Sequence, residues 1–345
     1  MDRLNIIWLY DSVSRGKLFS LQDISRDKKR LQQVKNLLSK MVKQKRIKRI
    51  WKGLYHIVPF EDPTWKPSQW EIAEYLCKKK EGHVFFFTAL EIHGLYRQHS
   101  RMEFQKLIPS KQVYLRAKKK GTGIERKTFD GVTYIIYRYD KKQLGLTETS
   151  LDEQGAGQGR NVKIPTTDIE ETFIECIQRI EETLGYVKTI AELLTLFQKA
   201  GMSIPNTLDH LDKHKSLMLS SKVGLLLELL DEKREYAKQL DRLSKNISKK
   251  AYYFRKPHKR YIGLAKEHFK HIHKWNLMVP NSLFSIYELQ QGRIQRLEEN
   301  ELAKAVSSPE TEALPQEIIY TTKIGEPELE KTDKEKKDQA AQEKK

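Results

Sequence analysis

The sequence predicts an α+β chain in which a small basic helix-and-hairpin segment precedes a mixed sheet-and-helix domain with a largely helical C-terminal part. Three observations carry this reading. Between residues 18 and 57 a short helix, a Lys- and Gln-rich helix and a basic hairpin turning at Gly53 succeed one another. β-branched and aromatic stretches follow at Gln112-Val113-Tyr114-Leu115-Arg116 and Val132-Thr133-Tyr134-Ile135-Ile136-Tyr137. From Thr167 onward apolar residues recur at helical spacing: Phe173, Ile174, Ile177 and Ile180, then Ile190, Leu193, Leu194 and Phe197, then Leu217 through Leu230.

Ser20 stands three residues before Asp23, which suits an N-cap whose hydroxyl takes an orphan amide while the carboxylate returns a bond. Asp27 is placed to cap the next helix, along which Leu31, Val34, Leu38, Met41 and Val42 fall on one apolar stripe. The other face carries Lys29, Gln32, Gln33, Asn36 and Lys40. Gln and Asn can bond an adenine edge in two places, and Lys can take phosphate or guanine oxygens. In the hairpin, Arg49 and Lys52 flank Trp51, and Gly53 permits the turn. This succession is that of a winged helix-turn-helix. The expected DNA-binding residues are therefore Lys29, Gln32, Gln33 and Asn36 on the groove helix, with Arg49 and Lys52 on the wing. The competing reading is a solvated charged helix packed on a small hairpin, or a winged domain used as a protein contact. Charge clustering weighs against it: residues 1–60 hold 15 Lys and Arg against 4 acids, a net of +11 out of +18 for the chain.

At 345 residues the chain is long enough for two or three domains, each with its own core. No apolar run approaches the roughly 20 residues needed to cross a bilayer, and the start has no signal-peptide core, so a cytoplasmic location without membrane attachment is expected. Cys77 and Cys176 lie far apart among apolar residues, which predicts buried, reduced thiols and no paired-cysteine zinc site.

The organisation expected is a winged domain over 1–58, a connector over 59–67 set by Pro59, Pro63 and Pro67, and an α+β middle domain over 68–150. In the middle domain Ser68 caps a helix, Thr88 reads as an N-cap, Gly94 as a helix stop and Asp130-Gly131 as the turn of a small antiparallel sheet. Residues 151–166, with Gly155, Gly157 and Gly159 alternating, read as a flexible loop, since no strand enters the glycines as a dinucleotide fingerprint requires. A mainly helical part then covers 167–300. It includes a second basic cluster over 231–275, 14 Lys and Arg against 5 acids, interleaved with Tyr252, Tyr253, Phe254 and Tyr261. Its aromatics are expected to pack, while its cations could extend a DNA footprint. Residues 301–345 read as a disordered charged tail.

The chain offers little chemistry. His268, His271 and His273 crowd near Glu267, but on a helix only the first two share a face, and lysines surround them, so no metal is expected. No P-loop or nucleophile elbow appears. No glycine is followed by serine, which excludes the Gly-Ser start of a nucleotidyltransferase site, and the Glu335-Lys336-Lys337 match to a nuclease motif lies in the tail. No catalytic residue and no cofactor are expected.

Four segments stand in a characteristic order: Arg49-Ile50-Trp51-Lys52-Gly53-Leu54-Tyr55, Thr88-Ala89-Leu90-Glu91-Ile92-His93-Gly94-Leu95, Leu217-Met218-Leu219-Ser220-Ser221-Lys222-Val223-Gly224 and Trp275-Asn276-Leu277-Met278-Val279-Pro280. In these the chain resembles one family, the AbiE-type antitoxins and transcriptional regulators of type IV toxin-antitoxin systems. Where such proteins usually show Glu-Arg-Thr entering the central helix, this chain has Glu170-Glu171-Thr172, an acid in place of Arg that alters a local salt bridge. The resemblance implies an autorepressor that binds inverted repeats of double-stranded DNA in its own promoter, and it adds Lys28 to the DNA-binding residues of the groove helix. It also implies an antitoxin part that counteracts a co-encoded nucleotidyltransferase toxin, with or without direct contact. The alternatives are a stand-alone winged-helix regulator and a general nucleic-acid binder without a toxin partner.

Overall fold

The structure is a computed structural model that describes residues 18–24, 28–59, 62–95, 111–118, 123–139, 145–153, 160–184, 187, 189–255 and 268–307. It is a mixed α+β architecture. The first module comprises β1 (Leu18–Ser20), α1 (Leu21–Ile24), α2 (Lys28–Lys43), β2 (Ile47–Trp51) and β3 (Leu54–Ile57). Its strands form an antiparallel sheet in the order β1-β3-β2. Val34, Leu38 and Met41 of α2 are buried against Phe19, Ile47 and Ile57, as their three- and four-residue spacing dictates. Val42, expected on the same stripe, is exposed, because it sits about 80° round the helix from Val34. The expected cap at Ser20 is also modified. Its hydroxyl donates to Asp23 at 2.8 Å instead of accepting an amide, while its backbone N–H donates to the same carboxylate at 2.7 Å. Asp27 lies outside the described residues.

A helix, α3 (Gln69–Lys80), opens the next part with the full capping box that Ser68 and Glu71 encode. It lies on a six-stranded sheet of order β6-β7-β5-β4-β9-β8, built from β4 (His83–Val84), β5 (Lys111–Lys118), β6 (Ile124–Phe129), β7 (Val132–Tyr139), β8 (Leu146–Glu153) and β9 (Arg160–Thr167). The sheet is not the antiparallel one expected, since β5–β7 and β4–β9 pair in parallel. The cause is the β6–β7 hairpin, tightly turned at Asp130 (φ 48°) and Gly131 (φ 76°). Its second strand joins β5 and its first takes the edge, so the chain reverses once more before pairing. The flexible loop expected over 151–166 is a second correction. Most of it belongs to β8 and β9, where Val162, Ile164 and Thr166 alternate inward with strand periodicity, and only 154–159, with the three glycines, lie outside the described residues.

The two sheet faces bury different things. Val84, Val113, Leu115, Tyr134, Ile136, Val162 and Ile164 face α3 through Trp70, Ile72, Ala73 and Leu76. The same core takes in Ile50 and Leu54 of the β2–β3 hairpin, so the break expected at 59–67 interrupts the backbone pattern but not the hydrophobic core. The connector folds back on the hairpin, with Lys48 donating to the Pro63 carbonyl at 3.0 Å and the His56 and Trp65 rings 5.3 Å apart. The opposite face, through Tyr114 and Ile135, meets α4 (Phe86–Ile92) and the helices beyond. Helix α4 starts at Phe86, itself at φ 57°, with Phe85 as an N-cap that makes no side-chain bond. Thr88 is therefore inside the helix, not its cap, and its hydroxyl accepts the Tyr114 N–H at 2.8 Å. Gly94, at φ 74°, follows the helix end as expected.

Helices α5 (Ile169–Gln178), α6 (Ile180–Thr183), α7 (Ile190–Lys199), α8 (Ile204–His214), α9 (Leu217–Leu230) and α10 (Ala237–Lys245) follow. Within the expected helical part there is also a small sheet of order β10-β12-β11, made by β10 (Tyr252–Tyr253), β11 (Phe269–Ile272) and β12 (Leu277–Pro280). His271 lies in β11 and not on a helix, bonded to the Asn276 side chain at 2.9 Å. Trp275 is buried on α9, where a Cβ at Gly224 would run into its ring. Of the aromatics in the basic cluster, Phe254 is buried, Tyr252 half-buried and Tyr253 exposed, and Tyr261 lies outside the described residues. A last helix, α11 (Asn281–Ser307), runs past residue 300, where the charged tail was expected to begin. Glu, Leu, Ala and Lys at 301–305 are good helix formers, so propensity favours continuing the helix there. Residues 308–345 lie outside those described. Cys77 and Cys176 are free and buried, and burial pushes the Cys77 thiol up to about 12.

An ion pair crosses from the sheet to the helical layer: Arg116 of β5 and Glu175 of α5, with side chains 10% and 0% exposed. Burial pushes the Glu175 carboxyl up to about 7, against the pull of the guanidinium. The Arg116 guanidinium lies 4.4 Å over the Phe85 ring. Replacing Arg116→Ala strands a carboxylate in the core and should cost about 3–5 kcal/mol in urea unfolding. The paired change Arg116→Leu with Glu175→Leu should recover most of that loss, and equal losses for the two variants would show that packing, not the stranded charge, is responsible.

Candidate nucleic-acid interface

Helix α2 presents Gln32, Gln33, Lys35, Asn36 and Lys40 to solvent, opposite its buried stripe. Gln32 Nε2 donates to Asn36 Oδ1 at 3.2 Å, one turn on, which aligns two amide groups on the same face. Lys28 and Lys29 belong to the first turn of this helix, and their side chains lie outside those described. The exposed stretch Lys43-Gln44-Lys45-Arg46 joins α2 to β2, with Lys45 at φ 59°.

In the hairpin, Arg49 is exposed and its Nε donates to the Trp51 carbonyl at 3.3 Å, across the bulge that shifts the register between Arg49 and Trp51. Lys52 is exposed in the turn, and Gly53 at φ 89° closes it. The structure thus brings Gln32, Gln33 and Asn36 together on one helix face and sets Arg49 and Lys52 on the adjoining hairpin of the same module. Trp51 does not reach outward. Its ring packs 5.8 Å from Tyr134 of β7 and lies under Lys127 of β6 at 5.1 Å.

The module is fastened to α3 by Asp23. Besides its two bonds from Ser20, this carboxylate accepts from the Tyr75 hydroxyl at 2.7 Å and pairs with Lys79. Burial alone would raise its pKa, but the bonds from Lys79, Tyr75 and Ser20 outweigh it and hold the group down at about 2. Beneath the other sheet face is a polar group that the sequence did not reveal. Glu171 is almost fully buried and takes both oxygens' worth of contact from His214 Nε2, at 3.0 and 2.9 Å. His210, one turn earlier on α8, stands 3.7 Å from Glu171 and 3.6 Å from Asp168, the N-cap of α5. Thr167 links onward to Thr172 at 2.9 Å and to Glu175 at 3.3 Å. His83, opposite Arg116 in the sheet register, is held down at about 3 by burial and by that cation.

Only the i, i+4 spacing of His210 and His214 could have hinted at this group, and the carboxylate that answers them is 39 residues before His210. Among the described residues no set of three or more His, Cys, Asp or Glu is arranged to hold a metal ion. The arrangement joins α8 to α5. No helix among the described residues is long and apolar enough to cross a membrane. Comparison of the chain with models of protein families, with curated proteins and with solved structures gives no match in any of the three.

The histidine–carboxylate group makes stability depend on pH. The neighbouring Glu171 and Asp168 carboxylates raise His210 above 6.5, so its contribution is complete below about 6.5 and is lost as pH rises through the raised value. Glu171, which burial would raise, is lowered below 4.5 by His210 and His214, so its contribution is present above 4.5 and lost as pH falls. The melting temperature should therefore peak between these limits and fall on the alkaline side. His210→Gln should flatten the alkaline limb, and an unaltered limb in that variant would assign the dependence elsewhere.

Proposed function

We propose that the first module is a winged helix-turn-helix and that the protein binds double-stranded DNA sequence-specifically, as an autorepressor at its own promoter. The observation that carries this reading is the exposed amide face of Gln32, Gln33 and Asn36, set opposite a buried stripe and beside a hairpin whose Arg49 and Lys52 are exposed. In this reading α2 lies in the major groove, its amides bond adenine edges, and Lys28 and Lys29 take phosphate or guanine oxygens. Arg49 and Lys52 reach the neighbouring backbone, and the +11 of residues 1–60 supplies the phosphate term. The remaining helical part serves as the antitoxin of an AbiE-type system, opposing a co-encoded nucleotidyltransferase toxin. The protein itself catalyses no reaction in this proposal and acts in the cytoplasm. This part of the proposal rests on the sequence resemblance. A toxin gene beside this one, whose toxicity the protein relieves, is what it requires.

Two measurements test the DNA reading. The purified protein is titrated against a duplex from its own upstream region and a random duplex of equal length. A preference of a hundredfold or more is expected, whereas equal and strongly salt-dependent binding would reduce the surface to phosphate attraction. Gln33→Ala or Asn36→Ala should lower discrimination between the two duplexes by about 1–3 kcal/mol. Lys52→Ala should weaken both equally and flatten the salt slope by about one unit, and an unchanged slope would remove the hairpin from the interface.

A further inference from the structure

A second site lies far in sequence from the α2 face, in a cleft of about 660 Å³ between α8, the start of α9 and α10. That volume is in the range of cavities that hold small organic ligands. Its apolar lining includes Leu208 of α8 and Leu243 of α10, and Tyr236 borders it at the head of α10. Four charged side chains line the same space. Asp209 and Asp212 stand three residues apart on α8, while Lys215, at the α8–α9 turn, and Arg242 of α10 are the cations. All four are exposed, and none forms a salt bridge with another described residue. Lys274, by contrast, is matched by Glu228 and Asp241.

Two carboxylates one helical turn apart make a seat for an ammonium group. Lys215 and Arg242 make a seat for a carboxylate, helped by the N-terminus of the 14-residue helix α9, whose cap, Ser216, also lines the cleft. Opposite charges on an apolar lining select a ligand that carries both charges on an apolar body. The wall that bears Asp209 and Asp212 is held from behind, because the other face of α8 is gripped through His210 and His214 by Glu171. The backbone of that wall is therefore fixed before a ligand arrives, which lowers part of the ordering cost of binding.

We propose that this cleft binds a zwitterion with an apolar side chain, an α-amino acid or a short peptide with free ends. The inference does not depend on DNA binding, and its test uses the full chain without DNA. Calorimetric titration with leucine, phenylalanine and the tripeptides Ala-Leu-Ala and Ala-Phe-Ala should show saturable binding by at least one. N-acetylation or C-terminal amidation of that ligand should weaken it by about tenfold or more. Asp212→Asn should remove the sensitivity to N-acetylation, and Arg242→Gln the sensitivity to amidation. Both are surface changes whose folding is checked by an unaltered melting temperature. Binding confined to the amino acids or to the tripeptides supports the proposal and fixes which source the cleft takes. No saturable binding up to ~10 mM, or equal binding of free and blocked forms, overturns it.

Discussion

A charge pair in the interior, Arg116 with Glu175, sets where the sheet and the helical layer meet. Its importance is geometric before it is energetic. A buried ion pair gains little net stability over apolar packing, because desolvation of both charges offsets their attraction. It does, however, tolerate very few arrangements. Glu175 also accepts the Phe86 N–H at 3.0 Å and the Thr167 hydroxyl, so one carboxylate ties together the central strand β5, the end of β9, the start of α4 and the body of α5. Phe86 adopts a left-handed backbone at that start, a conformation costly for a bulky residue and sustained here by burial of its ring and by this bond.

From that junction outward, the two faces of the sheet are given different work. One carries the helical layer with its histidine–carboxylate fastening. The other carries α3, and through it the N-terminal module, held by Asp23 and by the apolar backs of Ile50 and Leu54. Trp51 fits between the hairpin and the sheet, under Lys127. The angle of the hairpin is thus set by a surface that lies more than seventy residues later in sequence.

Much of this was legible in the sequence where the signal is local. The α2 stripe, the Ser68 capping box, the Asp130-Gly131 turn and the Gly94 stop each depend on residues within a few positions of one another. The errors arose where a distant partner decides. Strand direction in the sheet follows from which hairpin strand joins β5, and no pattern within either strand encodes that. The β8–β9 pairing was obscured by the three glycines between these strands in the sequence, although Val162, Ile164 and Thr166 alternate plainly. Glu171, read only as an odd residue in a family motif, proved to be the partner of two histidines on another helix. For the candidate interface, exposure of Gln32, Gln33 and Asn36 followed from periodicity, but the packing of Trp51 against Tyr134 and Lys127 did not.

The shared core beneath the hairpin bears on how portable the module is. Ile50, Leu54 and one side of Trp51 rest on side chains supplied by α3 and the sheet. Cut out at its proline boundary, the segment would carry its own small nucleus of Phe19, Val34, Leu38, Met41, Ile47 and Ile57, yet its underside would be bare and adhesive. Domain shuffling usually trades in pieces that close their own surfaces. This head cannot be transplanted without the neck and shoulder it was shaped against.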